Sequence, residues 1–188
     1  MLHHIYYFFT SKIPIRFLKN SPHHNWQSHS FFSNFTPLKS NMELQLKELT
    51  TKQEMLAQYP VMQYLYTNFS LEKYNTYLDD MIPNNYKQIA VFEGEVCVGL
   101  SGLWSGTKLW SGKYLEIDNF IVHPDHRKKG IGKMLTDYVD AKAKELGCTM
   151  IVLDAFTGNY TAHRFYYNQG YVPKGFHFLK ILNEEGLS

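Results

Sequence analysis

The feature that most constrains this chain is the junction between a strand-like run and an amphipathic helix at residues 123–135. Two glycines there permit a tight turn and a close approach of the backbone to a ligand. The first amide N–H groups of a helix have no intrahelical partner, so they attract an anion together with the helix dipole. The junction is built from Arg127, Lys128, Lys129, Gly130, Ile131, Gly132 and Lys133. Its glycines and positive charges predict a pyrophosphate site.

Two better-known phosphate motifs do not fit this junction. A Walker loop needs GxxxxGK followed by Ser or Thr, and the dinucleotide-binding fingerprint needs a third glycine. Taken alone, the junction is also compatible with a glycine-containing helix start that carries a solvated basic face. The rest of the chain must therefore decide between a pyrophosphate site and a solvated helix start.

Hydrophobic periodicity and breaker residues divide the chain from Met42 onward into strands and helices. The predicted strands are 43–49, 88–93, 95–104, 114–122, 149–154 and 176–182, with a loop at 105–112. The predicted helices are 51–60, 61–68, 71–81, 130–146 and 159–169. Thr51 and Glu54 have capping-box spacing, and Ser70 is a candidate cap for the third helix. This order predicts an α/β fold with a mixed central sheet and helices on both faces.

The first 41 residues differ from the rest of the chain. They hold four basic residues and no acidic ones, whereas residues 42–188 hold 15 basic and 17 acidic residues. The segment lacks the apolar block of a secretory signal and the arginines of a transit peptide. Its five histidines lack the Cys or carboxylate partners of a metal site. We expect residues 1–41 to be a disordered or non-native extension, translated upstream of a start at Met42, and residues 42–188 to be the functional domain.

Composition excludes several classes of protein. No run approaches the ~20 apolar residues of a membrane span, so no membrane partner is expected. The net charge of +2 argues against a nucleic-acid binder. Two cysteines, Cys97 and Cys148, cannot form a disulfide framework in 188 residues, and we expect both to be buried and reduced. These features indicate a cytoplasmic protein.

Two motifs make the chain resemble the GNAT superfamily of N-acetyltransferases. RKKGIG at 127–132 matches the family's R/Q-x-x-G-x-G/A signature, at the strand-to-helix junction where that family carries it. NYTAHRFYYNQGY at 159–171 is similar to the family's N-x-x-A-x-x-L-Y-x-x-x-G-F helix. AHRFY at 162–166, followed by FHF at 176–178, also resembles a subgroup of uncharacterised bacterial members. The resemblance covers about residues 42–182 and implies a splayed sheet and transfer of an acetyl group from acetyl-CoA.

The resemblance also implies roles for particular residues. In this family the sheet splays beside the strand that matches 114–122, and the pantetheine arm of acetyl-CoA bonds the backbone of that strand. Here the corresponding residues are Phe120, Ile121 and Val122. The pyrophosphate would lie on the amides of residues 127–133, and Asn159 would orient the co-substrate. Tyr166 matches the tyrosine that often protonates the leaving thiolate.

An amine of pKa about 10.4 must lose a proton before it attacks, so the reaction needs a general base. Strand parity predicts that alternate residues of the 114–122 strand share a face. These are Glu116, Asp118, Phe120 and Val122. Glu116 stands where the histone-acetylating branch of the family has its base glutamate and is the first choice. Asp118 is the second choice of base. A water chain or His177 is a further alternative for that role. Either acid could instead bind a cationic substrate.

We expect direct attack by the amine in a ternary complex. The backbone N–H of Phe120 would bond the oxyanion of the intermediate. The hydroxyl of Tyr166 would protonate the CoA thiolate, and the alternative for this residue is aromatic core packing. Cys97 and Cys148 lie outside both motifs, so an acyl-cysteine intermediate is not expected.

Several other residues have weaker assignments. No metal is expected, because His123 and His126 lie within the phosphate junction without further ligands nearby in sequence. These two histidines are instead expected to flank the co-substrate. Trp104 and Trp110 are candidates for the wall of the acceptor pocket, or for packing in the hairpin.

The sequence does not identify the acceptor, which is expected to be a small-molecule or peptide amine. The acidic pair, Glu116 and Asp118, favours a cationic acceptor. A different hypothesis is a catalytically inactive sensor or interaction module that binds acyl-CoA. A third, nucleic-acid binding through residues 127–133, is disfavoured by the net negative charge of the proposed domain. Members of the family often dimerise, which leaves a homodimer open.

Overall fold

The computed structural model describes residues 43–184, and the predicted extension, residues 1–41, lies outside this part of the chain. The described residues form a five-stranded sheet with helices packed on it. The strands are β1 (Leu44–Leu49), β2 (Tyr86–Glu93), β3 (Val96–Lys108), β4 (Gly112–Val122) and β5 (Met150–Leu153). The helices are α1 (Lys52–Ala57), α2 (Tyr59–Met62), α3 (Leu71–Met81), α4 (Ile131–Glu145) and α5 (Tyr160–Asn168).

Local side-chain chemistry sets where the helices begin. The Thr51 hydroxyl accepts from the Glu54 backbone N–H, while the Glu54 carboxylate accepts from the Thr51 backbone N–H at 2.8 Å, which confirms the capping box. The Ser70 hydroxyl accepts from the backbone N–H of Lys73 at 3.0 Å, and α3 has the predicted bounds. These caps satisfy amide groups that would otherwise lack partners.

The sheet has the order β1-β2-β3-β4-β5. The first four strands pair antiparallel, and β5 pairs parallel to β4. A parallel neighbour needs a crossover connection, and α4 supplies it. The predicted mixed sheet is therefore confirmed.

Helices cover both faces of the sheet, as predicted. On one face, α1, α2 and α3 enclose a core that includes Met55, Met62, Leu78 and Leu100. On the other face, α4 buries a stripe against β2, β3 and β4. The buried residues of that stripe are Ile131, Leu135, Val139 and Ala143. Among residues 43–184, no helix has the length and apolar character required to cross a membrane.

Some predicted boundaries are wrong. Residues 105–112 are mostly strand, because β3 runs to Lys108 and pairs there with Gly112 of β4. The helix predicted at 61–68 ends at Met62 and gives way to turns, and Pro60 lies inside α2 rather than ending a helix. The strand at 149–154 is half-buried rather than buried, and so is Cys148, whereas Cys97 is buried as predicted.

The strand predicted at 176–182 is also wrong. These residues form no ladder within the described chain, and their large apolar side chains lie exposed. Alternating apolar residues favour a strand only where a neighbouring strand accepts their hydrogen bonds, and the structure provides no such pairing here.

Candidate active site

The ladder between β4 and β5 stops halfway along β4. The register ends at Ile117 opposite Leu153, whereas β4 continues to Val122. The edge of β4 from Asp118 to Val122 therefore faces a gap in the sheet. Unpaired strand edges offer N–H and C=O groups to an extended partner. Phe120, Ile121 and Val122, assigned above to the pantetheine arm, all lie on this edge.

A β-bulge interrupts β4 at the start of the gap. Ile121 pairs with Leu100 and Asp118 pairs with Gly102, so two residues of β4 oppose one of β3. Asn119, inside the bulge, has a φ of 50°. Asn is among the few residues that tolerate this left-handed region. A bulge of this kind changes the direction in which the following side chains project.

The bulge makes the parity prediction wrong. Asp118 accepts a hydrogen bond from Trp104, which packs on the α1–α3 side, and Glu116 lies opposite Trp104 in the ladder. Phe120 and Val122 pack instead with the core under α4. The extra residue at Asn119 shifts the alternation by one position. The carboxylates and the Phe120 side chain thus lie on opposite faces.

Glu116 is a half-buried carboxylate in an acidic environment. Burial raises its pKa above the ordinary value of 4.5, and the negative charges of Asp154 and Asp118 add to the rise. Lys108 and His177 oppose it. His177 Nδ1 lies 2.6 Å from Asp154 Oδ2, so this exposed pair belongs to the same neighbourhood. A carboxylate with a raised pKa at the edge of the gap is suited to accept a proton.

Asp118 is held more tightly than Glu116. Its Oδ2 accepts from Trp104 Nε1 at 3.1 Å and from Asn119 Nδ2 at 2.8 Å, and its Oδ1 accepts from the Asn119 backbone N–H at 2.8 Å. These bonds fix the position of the carboxylate. Within the described chain, Glu116 has no such hydrogen bonds, so its oxygens are the more available.

The structure brings Tyr166 of α5 against the bulge. The ring centroids of Phe120 and Tyr166 lie 5.9 Å apart, in an edge-on arrangement. Burial raises the pKa of Tyr166 to about 12, so the hydroxyl is protonated at neutral pH. No residue in the described region hydrogen-bonds this hydroxyl. Tyr166 is therefore packed by its ring while its proton remains free to be donated.

The phosphate junction has the predicted strand–turn–helix geometry. Lys128 and Gly130 both have positive φ, of 63° and 85°, and α4 begins directly after Gly130 without a side-chain cap. Arg127 Nε donates to the Val122 carbonyl at 3.3 Å, and Lys133 pairs with Asp137 at 2.6 Å. Lys128 and Lys129 are exposed. The helix amides and these two lysines fit an anionic group.

Two residues of the junction also have packing roles. Ile131 is 1% exposed, so only its backbone can face a ligand. A Cβ built on Gly132 would lie 3.1 Å from the ring of Phe165. That ring packs at a tilt against the ring of Phe120, with centroids 5.6 Å apart. The absence of a side chain at Gly132 thus lets α5 approach α4 and the bulge.

We expect Gly132→Ala to lower the free energy of unfolding by about 1 kcal/mol net. The new methyl group must push the Phe165 ring aside by a few tenths of an ångström, which costs about 1–3 kcal/mol, while the higher helix propensity of alanine in α4 offsets about 1 kcal/mol. The matched control is Gly158→Ala, where a Cβ meets nothing within 4 Å and where φ is not in the left-handed region. Urea unfolding of both variants measures the effect. Equal stability of the two would contradict this packing role.

The remaining predicted residues have clear local partners. Asn159 caps α5, since its Oδ1 accepts from the Ala162 backbone N–H at 3.1 Å. The ring of His123 bonds Tyr64 at 2.8 Å, and His126 bonds Glu93 at 2.9 Å. Among the described residues, no group of three metal-binding side chains comes together.

The two tryptophans considered for either the acceptor pocket or packing in the hairpin lie in different surroundings. Trp104 Nε1 donates to Asp118, which places this side chain beside the carboxylates. Trp110 is 75% exposed at the tip of the β3–β4 hairpin. Trp104 is therefore the one that contacts the candidate site.

Sequence reasoning missed two participants in the site. Asn119 forms the bulge, and Tyr66 Oη donates to Asn119 Oδ1 at 2.7 Å from the turn that follows α2. An adjacent Asp-Asn pair inside a predicted strand was an available signal, because both residues are disfavoured in strand interiors. Nothing in the sequence pairs Tyr66 with that position.

Comparisons with known proteins agree with this geometry. The profile of the Acetyltransferase (GNAT) family matches residues 50–171. YhdJ of Bacillus subtilis, an uncharacterized N-acetyltransferase, is 30% identical over 139 residues, 73% of this chain and 98% of that protein. An aminoalkylphosphonate N-acetyltransferase of Salmonella typhimurium is 32% identical over 101 residues, 53% of this chain and 65% of that protein.

Solved structures share the fold at low identity. A Trypanosoma brucei acetyltransferase superposes with a TM-score of 0.63 at 18% identity, over 74% of this chain and 100% of that one. The aminoglycoside N-acetyltransferase AAC(6')-Iy, solved with CoA, gives 0.66 at 12% identity, over 75% and 96%. With the family match over residues 50–171, the chain belongs to the GNAT acetyltransferase family and is an acyltransferase of the N-acetyltransferase type.

Proposed function

We propose that this protein transfers an acetyl group from acetyl-CoA to a primary amine by direct attack in a ternary complex. The observation that carries the proposal is the half-buried Glu116 carboxylate, with its raised pKa, on the strand where the sheet opens. A carboxylate near the end of the β4–β5 ladder and a protonated tyrosine packed against Phe120 can serve as the base and the acid of one acyl transfer.

The base step belongs to Glu116. It accepts a proton from the bound ammonium group, directly or through water, and leaves a neutral amine that attacks the thioester carbonyl. Asp118 is the weaker candidate, because Trp104 and Asn119 already donate to its oxygens. We assign Asp118 to orienting the cationic acceptor and holding the bulge.

Residues of β4, of α5 and of the phosphate junction carry out the remaining steps. The backbone N–H of Phe120 stabilises the oxyanion that forms when the amine nitrogen bonds to the carbonyl carbon. When the C–S bond breaks, Tyr166 donates its proton to the thiolate. The amides of residues 127–133, with Lys128 and Lys129, bind the pyrophosphate.

The acceptor is proposed to be a small cationic amine. Glu116, Asp118 and Asp154 give this end of the gap a negative potential, which favours positively charged substrates. The relative from Salmonella typhimurium acts on aminoalkylphosphonates, so amines that also carry an anionic group belong in the test panel. We also propose that the protein acts in the cytoplasm, where its two free thiols, Cys97 and Cys148, stay reduced.

The pH dependence of kcat/KM should reflect the protonation of the Glu116 carboxylate. Because only the carboxylate form accepts a proton, activity is lost as pH falls through its pKa, and the acid limb should lie above 4.5. Asp154→Asn removes a negative charge that raises this pKa, so the limb should move to lower pH. A limb that stays in place in this variant would indicate that another group controls it.

Initial rates of CoA release test the proposed function. Acetyl-CoA and a panel of primary amines, including diamines, aminoalkylphosphonates, amino sugars and peptide N-termini, are varied together. Direct transfer predicts intersecting double-reciprocal lines, whereas parallel lines would indicate an acyl-enzyme. Acetyl-CoA binding without release on any amine would favour the sensor hypothesis instead.

A further inference from the structure

The bulge in β4 is held by a polar network centred on Asn119, a residue to which the reaction scheme gives no role of its own. The side-chain amide of Asn119 is bonded at both ends: Tyr66 Oη donates to its Oδ1 at 2.7 Å, and its Nδ2 donates to Tyr86 Oη at 3.2 Å. The same Nδ2 also donates to Asp118 Oδ2 at 2.8 Å. The network therefore reaches the bulge from a turn, from β2 and from β4 itself.

The network is anchored in the core. Tyr86 is 2% exposed and accepts from Gln88 Nε2 at 2.9 Å, and Gln88, which is fully buried, also donates to Tyr74 of α3 at 2.8 Å. A Cβ on Gly102 would lie 2.5 Å from the Tyr86 hydroxyl, so the tyrosine lies directly over β3 opposite the bulge. Buried and satisfied polar networks of this kind fix one geometry.

The conformation that the network holds is uncommon. Asn119 has a φ of 50°, and only two other non-glycine residues of the described chain, Asn85 and Lys128, have positive φ. Such a conformation persists when its surroundings determine it. Phe120 follows directly, and its ring packs on Phe165 and Tyr166.

We propose that Asn119, held by Tyr66 and Tyr86, is a positioning residue for acyl transfer: it fixes the bulge that aims the Phe120 N–H and seats the Phe120 ring against Tyr166. Asn119 acts through Phe120 and does not contact the reacting atoms. This inference rests on the proposed function, since it assigns the oxyanion to the Phe120 N–H.

Tyr66→Phe in the full chain is the primary test, because it removes one hydroxyl from the network and keeps the ring. We expect kcat to fall about tenfold, a fraction of the effect of losing an oxyanion donor. The KM and Kd for acetyl-CoA should stay within about twofold, because the phosphate junction is untouched. Amide exchange of the peptide containing residues 115–123 should accelerate.

The matched control is Tyr59→Phe. Tyr59 Oη donates to the Phe69 carbonyl at 2.6 Å, and its ring packs on the same core, without any bond to the bulge. This variant should keep wild-type kcat and wild-type exchange in the bulge peptide. An equal fall in kcat in the two variants would reduce Tyr66 to a general stability role and overturn the inference.

Asn119→Gly provides a second variant that retains the freedom to adopt positive φ and removes the whole side chain, including the amide that bonds Tyr66 and Tyr86. It should lower kcat at least as much as Tyr66→Phe. Wild-type kcat and exchange in both variants would overturn the inference. If the wild-type protein itself shows no turnover, the proposed function fails, while unchanged exchange in the bulge peptide would separately overturn the role of the network.

Discussion

Glu116→Gln is expected to lower kcat by about 10²–10⁴-fold, the contribution of a general base. Glutamine keeps the size and shape of the side chain but cannot accept the proton of the ammonium group. Acetyl-CoA affinity should be unchanged, because the phosphate junction and the edge of β4 remain intact. The deficit should shrink with acceptors of lower amine pKa, since more of such an amine is already neutral. Steady-state kinetics with isothermal titration of acetyl-CoA measure both effects.

The control for this prediction is Glu95→Gln, the same substitution at an exposed position in the β2–β3 turn. It should leave kcat and acetyl-CoA binding at wild-type levels. If Glu116→Gln keeps kcat within about threefold of wild type, far below the effect of losing a general base, then Asp118, a water chain or His177 must accept the proton.

Tyr166→Phe should lower kcat by about 10–10²-fold, at the lower end of acid–base contributions, while acetyl-CoA affinity stays close to wild type. In the wild type, burial raises the pKa of the Tyr166 phenol to about 12, so this group carries its proton throughout the neutral range. Phenylalanine keeps the contacts with Phe120 and Phe165 and removes only the proton donor.

Tyr167→Phe is the matched control in the same helix, because Tyr167 is 56% exposed. Its kinetics should match those of the wild type. Unchanged turnover in Tyr166→Phe would assign this tyrosine to aromatic packing and leave the thiolate to be protonated by water.

The local elements were largely predictable from sequence. Thr51 with Glu54 and Ser70 with Lys73 mark helix starts through bonds between near neighbours in the chain, which spacing reveals. The amphipathic helix predicted at 130–146 likewise buries one stripe of side chains at the 3.6-residue period. The phosphate junction and its strand–turn–helix setting followed from the glycines.

The errors arose where distant residues decide the structure. The Asn119 amide at the bulge bonds Tyr66 and Tyr86, which are remote in sequence, and simple alternation, which does not register a bulge, placed Phe120 on the wrong face. The apolar alternation of residues 176–182 predicted a strand, but pairing depends on a partner that spacing does not reveal. The acidic neighbourhood of Glu116 likewise includes Asp154, which arrives from the end of β5.

The most direct test of acetyl transfer follows the acetyl group itself. The full-length protein is incubated with acetyl-CoA labelled with ¹³C in the acetyl group and with the amine panel, and the amines are then analysed by mass spectrometry. We predict that label appears in at least one primary amine, in proportion to the CoA released, and that Glu116→Gln suppresses both. Bound acetyl-CoA with no label in any amine would contradict the assignment of this site as an N-acetyltransferase centre.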